Sequence, residues 1–428
     1  MMRPVWYRSL DATGRRAFWS SYSGLTIDAM NVQLYAFILP TLLAFWGLTP
    51  SGAGLLASAA LISGAIGGWL AGSLSDRIGR IQVLRVTIIW VAASTLLCGF
   101  ARDYDELLLA RLIQGIGFGA EWAVGVVFMS EIAPSATRGR VLGTLQSAWA
   151  VGWGLAAATT GIAIALLPPD IGWRVVFFVA LLPALLLFLV RKTMNESPAF
   201  AAERKRQAWH GIFSRDVWPS TLKGSMLATG MHGGYWAIAT WWPTMLRVER
   251  GLTAADTGLH TAALIGGSLL GYALGAWLSD YAGRRATLSA FALGGIVIVL
   301  AATQFQLSAT ALLALTPVLG LFALGLYSTV GPALTELYPT SLRGSGLGFC
   351  YNVGRGLAGI TPVAVGGSVA SLGFSQAIGL YVAGSYALVL IATALMRETR
   401  GIDLLTTEGW ESQGSNRTIL AVGARSEV

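Results

Sequence analysis

Five ionisable side chains stand inside stretches that are otherwise almost wholly apolar: Asp28 in TIDAMNVQLYAF, Arg111 and Glu121 in RLIQGIGFGAEWAVG, His232 in ATGMHGGYWAIATWWPTM and Arg355 in YNVGRGLAG. A carboxyl withdrawn from water favours its neutral form, so it can take up a proton on one side of a barrier and release it on the other. A guanidinium in a dry site is a fork-shaped receptor for a carboxylate. Asn352 stands one turn before Arg355, and Tyr235 and Trp236, with Trp241 and Trp242, add aromatic surface with hydrogen-bonding edges that suits a planar or hydroxylated organic molecule. Structural readings compete with these. His232 can pack within its helix, Asp28 or Glu121 can be a static partner of Arg355, and the aromatics can form a membrane-interface belt. Ten residues separate Arg111 from Glu121, about 15 Å of helical rise, so those two are not expected to pair directly.

Such groups carry this chemistry only if the elements that hold them are kept from water, and the composition requires it. Of 428 residues 54% are hydrophobic and 12% charged, against about 25% charged in soluble chains. The apolar residues run in blocks of about 20, the length an α-helix needs to cross roughly 30 Å of hydrocarbon. Twelve blocks are read, at 24–46, 52–74, 84–101, 106–129, 141–166, 172–190, 223–246, 257–278, 287–305, 309–334, 345–370 and 376–396. The expectation is an all-α membrane protein. Residues 1–23 are polar and mixed, so no cleavable leader is expected and the first span directs insertion.

The formal net charge is +8. With the N-terminus in the cytosol, all but six of the 29 basic residues fall in cytosolic segments. Arg102, Arg174, Arg247 and Arg250 lie on the outer side, and Arg111 and Arg355 within spans. That is the positive-inside pattern; it puts both termini in the cytosol and explains the charge without nucleic acid. The plan is a cytosolic segment 1–23, a first bundle 24–190, a cytosolic linker 191–222 with the run ERKRQ, a second bundle 223–397 and a cytosolic tail 398–428, polar enough that disorder is its default state. Cys98 and Cys350 stand at different depths, so no disulfide is expected. GIGFGA at 115–120 fits a dinucleotide fingerprint, but no strand precedes it, and close helix packing is the expected role of its glycines. No metal cluster, nucleophile elbow or phosphate loop is found, so neither a cofactor nor an enzymatic activity is expected.

Two motifs recur at nearly one offset. GSLSDRIGR at 72–80 is echoed by AWLSDYAGRR from 276, and SEIAPSATRGR at 130–140 by TELYPTSLRGS at 335–345. An offset of about half the chain makes the protein two halves of six spans. In the first copy Arg77 and Arg80 hold the loop in the cytosol. Gly72 and Gly79 permit close approach and a tight turn, and Asp76 stands beside the start of the third span, where the helix dipole favours a carboxylate that can pair with Arg138 or Arg140.

Parallel six-span halves, each with a G-x-L-x-D-R-x-G-R-like loop between its second and third helices, resemble the major facilitator superfamily over residues 20 to 397. The second copy departs from the pattern at Ala276 and Tyr281 but keeps Asp280 and Arg284. The resemblance implies twelve transmembrane helices in two pseudo-symmetric bundles that rock about a central cavity lined by helices 1, 4, 7 and 10. Gly72, Asp76, Arg77, Gly79, Arg80, Arg138, Asp280 and Arg284 would then form cytosolic contacts that break when that side opens. RLIQG looks like the family's R-x-x-Q-G element, linking Arg111 and Gln114 to coupling or gating.

The stretches DAMNVQLYAFILPTL, GFGAEWAVGVVFMSE, GGYWAIATWWPT and ELYPTSLRGSGLGFCYNVGR resemble the proton-coupled organic-acid branch, in particular sialate/lactate:proton symporters and, more distantly, aromatic-acid:proton symporters. That branch commonly has a second acid where this chain has Asn31, and an amide cannot carry the proton. The expectation is a monomeric importer in a bacterial-type cytoplasmic membrane. Protons would be exchanged at Asp28 and Glu121 with Arg111, and a small organic anion would be met by Arg355, Asn31, Gln114, His232, Tyr235, Trp236 and Asn352. A facilitator or drug:proton antiporter of the same fold, or a ligand sensor that moves nothing, are the alternatives.

Overall fold

The computed structural model describes residues 5–132, 138–192, 194, 196, 209–338 and 342–399. After one helical turn at Val5–Arg8, the described residues form twelve long helices and no strand. The first six are α1 (Ala12–Trp46), α2 (Pro50–Ile78), α3 (Arg80–Phe100), α4 (Tyr104–Ile132), α5 (Arg138–Gln146 continued by Ala148–Leu166) and α6 (Pro169–Val179 continued by Leu181–Lys192). The second six are α7 (Trp218–Thr244), α8 (Ala254–Ala282), α9 (Arg284–Gln304), α10 (Ala309–Leu319 and Tyr327–Thr335 around a π-helical turn Gly320–Leu324), α11 (Arg343–Ala358 and 361–372) and α12 (374–395). Gly373, with φ 77°, breaks the last two apart. Below, the face that carries Ala12, Lys192, Trp218 and Leu395 is the terminal face, and the opposite one is the distal face.

Local rules start and stop these helices. Asp11 caps α1 by accepting from the Gly14 N–H at 2.6 Å, Thr49 caps α2 ahead of Pro50, and Thr253 and Asp256 make a reciprocal capping box on α8. Large apolar side chains such as Phe100, Ile162, Leu166 and Leu270 are exposed around the outside. That arrangement is stable only where the surroundings are hydrocarbon. Among the described residues ten segments are long and apolar enough to cross a membrane, α11 and α12 counting as one continuous stretch, and α7 is not among them. The reason for the exception is position: each residue of α7 from Gly230 to Thr244 is buried, so that helix needs no lipid-compatible face.

Two expected boundaries move. α1 begins at Ala12, inside the segment 1–23 read as a polar extension, because Asp11 supplies a cap there. Arg191 and Lys192, read as the start of the linker, are the last turn of α6. Trp209–Phe213 in the linker is a short 3-10 turn.

The halves repeat one device at the terminal face. Gly79 (φ 105°) and Gly283 (φ 98°) take a conformation that only glycine adopts without strain, ahead of α3 and α9. Arg80 Nη1 then donates to the Ser75 carbonyl, and Arg284 Nη1 to that of Ser279, each at 2.8 Å. Glu196 accepts from the N–H groups of Arg80 (2.9 Å) and Ile81 (3.1 Å), and Glu398 from those of Arg284 (2.8 Å) and Arg285 (3.0 Å). A carboxylate on the positive end of a helix is favourable. The residue supplying it on α3 is Glu196; the side chain of Asp76, expected near this helix start, lies outside the described residues.

The halves meet along α2 with α11, α1 with α7 and α5 with α8. The distal seam is closed: Gly54 lies on the backbone of Pro362 and Val363 and Gly366 on that of Pro50, with no room for a Cβ. The Val363 N–H donates to Ser58 Oγ at 3.1 Å. The GIGFGA glycines serve close packing, Gly115 and Gly119 against α2 and Gly117 against α3. Cys98 and Cys350 are both free thiols.

Candidate functional site

Charged and polar groups gather at mid-depth between the halves. On the terminal side of that cluster, Glu121 of α4 is held by Arg191 of α6. Nη1 donates to Oε2 at 2.9 Å, Nη2 makes a second short bond to Oε1, and Thr87 Oγ1 donates to Oε2 at 3.3 Å. Arg191 Nη1 also donates to the Leu84 carbonyl at 2.9 Å. The pair lies directly against Gly24 of α1, where a Cβ would strike both partners. One turn further along α1 is Asp28, buried, with no hydrogen-bond partner for Oδ2 and with Glu121, Arg355 and Arg191 as its charged neighbours.

Arg191 changes the charge pattern. Glu121 is neutralised by a third guanidinium, from a residue that the sequence places in the linker. A basic pair closing the run LLPALLLFLVRK reads as a membrane-interface anchor, and only the three-dimensional placement shows the first of the two turning inward.

Arg355 reaches from α11 across the seam. Its Nη2 donates to the Gly64 carbonyl of α2 at 2.8 Å and to Asn352 Oδ1 at 2.6 Å. Its guanidinium lies 4.9 Å from the Phe118 ring centroid, and Nε has no partner. Asn352, expected beside the cargo, orients Arg355. The His232 Nδ1–H donates to the Ala228 carbonyl at 2.8 Å, because a carbonyl can only accept, and leaves Nε2 unpartnered. That ring packs edge-on to Tyr351 at 4.5 Å and Tyr327 at 5.6 Å. Tyr351 stacks flat on Trp122 of the other half at 3.7 Å. The Tyr235 hydroxyl accepts from Trp149 Nε1 and, at 3.4 Å, from Gln33 Nε2. The indole N–H of Trp236 has no partner, and its ring meets Phe118, Trp149 and Tyr235 edge to face. Trp241 is a seal, donating to the Pro362 carbonyl at 2.9 Å.

Arg111 stands apart, toward the distal face. Its Nη1 donates to Gln114 Oε1 at 2.6 Å and its guanidinium lies 4.8 Å from the Tyr35 ring centroid. Gln114 Nε2 donates to Thr95 Oγ1 at 2.9 Å, and Thr95 Oγ1 to Asn31 Oδ1 at 3.2 Å. Asn31 Nδ2 donates to the Ile27 carbonyl at 3.0 Å. Asn31 and Gln114, expected to face the cargo, are thus tied into an internal chain, and Arg111, expected to act with Asp28 and Glu121, contacts neither. Trp149, Phe118, Tyr327, Tyr351, Gln33 and Thr95 complete the site; none has a sequence signature beyond its position in an apolar run.

Of the expected gate residues, the side chains of Gly72, Asp76, Arg77, Arg138 and Asp280 lie outside the described residues. Gly79 and Arg80 form the turn described above. Arg284 bonds Glu336 at 3.0 and 3.1 Å within its own half. Among the described residues no three His, Cys, Asp or Glu side chains gather as metal ligands.

Two six-helix halves with their charged groups buried along the seam between them make a helical membrane carrier. The chain belongs to the Major Facilitator Superfamily, whose family model matches residues 22–360. It is 36% identical over 402 residues, 93% of this chain and 94% of the relative, to a probable 4-methylmuconolactone transporter of Cupriavidus pinatubonensis. To the cis,cis-muconate transport protein of Acinetobacter baylyi it is 31% identical over 386 residues, 85% of this chain and 90% of the relative. Among solved structures it resembles a D-xylose-proton symporter, with a TM-score of 0.73 at 20% identity over 92% of this chain and all of that one. The protein is therefore an integral, multi-pass membrane transporter, and its family is one of carriers rather than enzymes.

Proposed function

We propose that this carrier moves a small organic anion together with protons by alternating access. It would sit in a bacterial cytoplasmic membrane with the terminal face in the cytosol, and act as a monomer. The observation that carries the reading is the buried centre that holds Asp28, with an unused Oδ2, on one half and Arg355, with an unused Nε, as one of its charged neighbours on the other. A carboxylate arriving at Arg355 competes with Asp28 for that cation. It is held best when Asp28 carries a proton, and loss of the proton on the cytosolic side weakens its hold. The free Nε2 of His232 and the indole N–H of Trp236 offer further polar contacts within an aromatic wall. The likeness to a probable 4-methylmuconolactone transporter and to a cis,cis-muconate transport protein supports an unsaturated organic acid as cargo.

Opening requires the Gly54–Pro362 and Gly366–Pro50 contacts to part on the distal side while the Trp122–Tyr351 stack holds the other, and the reverse. Uptake of labelled carboxylates by proteoliposomes under an imposed pH gradient tests the reading. Accumulation above the outside concentration that vanishes with the gradient is expected. Equilibration without accumulation would make the protein a facilitator.

A further inference from the structure

Among the described residues, Arg111 is a buried cation with no carboxylate beside it. It is 1% exposed, its Nε has no partner, and the groups that bear on its charge are Cys98 and Tyr35, neither an anion at neutral pH. Once Glu121 and Arg191 are paired, the formal charges left in the span interiors, among the described residues, are those of Asp28, Arg111 and Arg355. That is a surplus of one positive charge, or two when Asp28 is protonated. An uncompensated charge at this depth is costly, and such residues line ion or substrate paths.

Arg111 also has an opening onto the seam. A void of about 10 Å³, room for about one water, lies between α1, α2 and α4 of the first half and α7 of the second, and Gln33, Tyr35, Arg111, Trp236 and Thr240 line it. Trp236 in turn packs on Phe118, whose ring carries Arg355. Phe118 is two turns beyond Arg111 on α4, about 10 Å along the helix. The two guanidiniums therefore stand at either end of one aromatic wall, and parting α1 from α7 would open the void along it.

We propose that Arg111 and Arg355 are two carboxylate receptors at opposite ends of a single site, so that the cargo is an elongated dicarboxylate. The inference rests on the reading of this seam as the path of an organic anion. Paired carboxylates at the two forks would be joined by a chain of roughly four to six carbons, whose unsaturated or apolar body lies on Phe118 and Trp236. The chain Gln114–Thr95–Asn31 fixes one edge of the Arg111 guanidinium and leaves Nε for the ligand.

Purified full-length protein in detergent is titrated with three pairs that differ by one carboxyl: adipate and hexanoate, trans,trans-muconate and sorbate, terephthalate and benzoate. In at least one pair the dianion is expected to bind about tenfold or more tightly than the monoanion, the scale of one charged hydrogen bond. Arg111→Gln is expected to erase that preference, and Arg111→Lys to restore part of it. The preference is a ratio within one protein, so a poorly folded sample loses total binding without losing the ratio. Equal affinities within every pair, or a preference that survives Arg111→Gln, overturn the proposal and leave organic-anion transport standing. Binding of none of the compounds overturns both.

Discussion

At the terminal face the second half repeats the first almost residue for residue: Gly79, Arg80, Ser75 and Glu196 have counterparts in Gly283, Arg284, Ser279 and Glu398. At mid-depth the likeness ends. The first half holds Asp28, Glu121 and Arg191, with Arg111 nearer the distal face, whereas the second contributes Arg355, His232 and the rings of Tyr235, Tyr327 and Tyr351. The duplicated parts set how the third helix of each half enters the membrane, a mechanical task both halves share. The divided parts put the carboxyls on one body and the free guanidinium of the centre on the other. On the proposed reading neither half alone has a cargo site, and relative motion of the halves would alter the interaction of Asp28 with Arg355 directly.

Breaking the division should have the largest effect. Glu121→Gln strands Arg191 in the span and is expected to cost about 3–5 kcal/mol, read as a fall in melting temperature, and to abolish gradient-driven accumulation while exchange survives. Adding Arg191→Met should recover stability but not accumulation. A double variant that accumulates like wild type would make the pair a structural brace. Next, Arg355→Ala should weaken carboxylate binding by about 1.5–3 kcal/mol, measured by calorimetry; undiminished affinity would move the anion site elsewhere.

The duplicated device should respond symmetrically and less. Glu196→Gln and Glu398→Gln are each expected to lower stability by about 1 kcal/mol, as loss of a helix cap does, with transport kept. A large difference between the two would show that the halves are not mechanically equal at this face. Least of all, Glu106→Gln, which breaks an exposed bridge to Arg102 at 2.6 Å on the distal face, should leave melting temperature and uptake unchanged.

The scaffold was legible because its causes are written in long runs: apolar blocks, glycine turns and motifs recurring at one offset. Asp28, Glu121, Arg111, His232 and Arg355 were legible as charges in the wrong medium. What stayed hidden was partnership. Arg191 ends an apolar run, and nothing local distinguishes an arginine that reaches lipid headgroups from one that folds back to a carboxylate. Thr95 and Trp149 are ordinary residues of spans until Gln114 and Tyr235 approach them from other helices. Asn31 and Gln114 stand out in the sequence through the family resemblance, and their internal bonds appear only once α1, α3 and α4 are packed together.

The claim that proton and anion occupancy are linked through Asp28 is tested most directly by calorimetric binding of the tightest carboxylate probe in buffers of different ionisation enthalpy, at a fixed pH near neutrality. The wild-type protein should take up protons from the buffer as it binds, and Asp28→Asn should bind without doing so. Binding by the wild type with no proton uptake, or uptake that persists undiminished in Asp28→Asn, would contradict it.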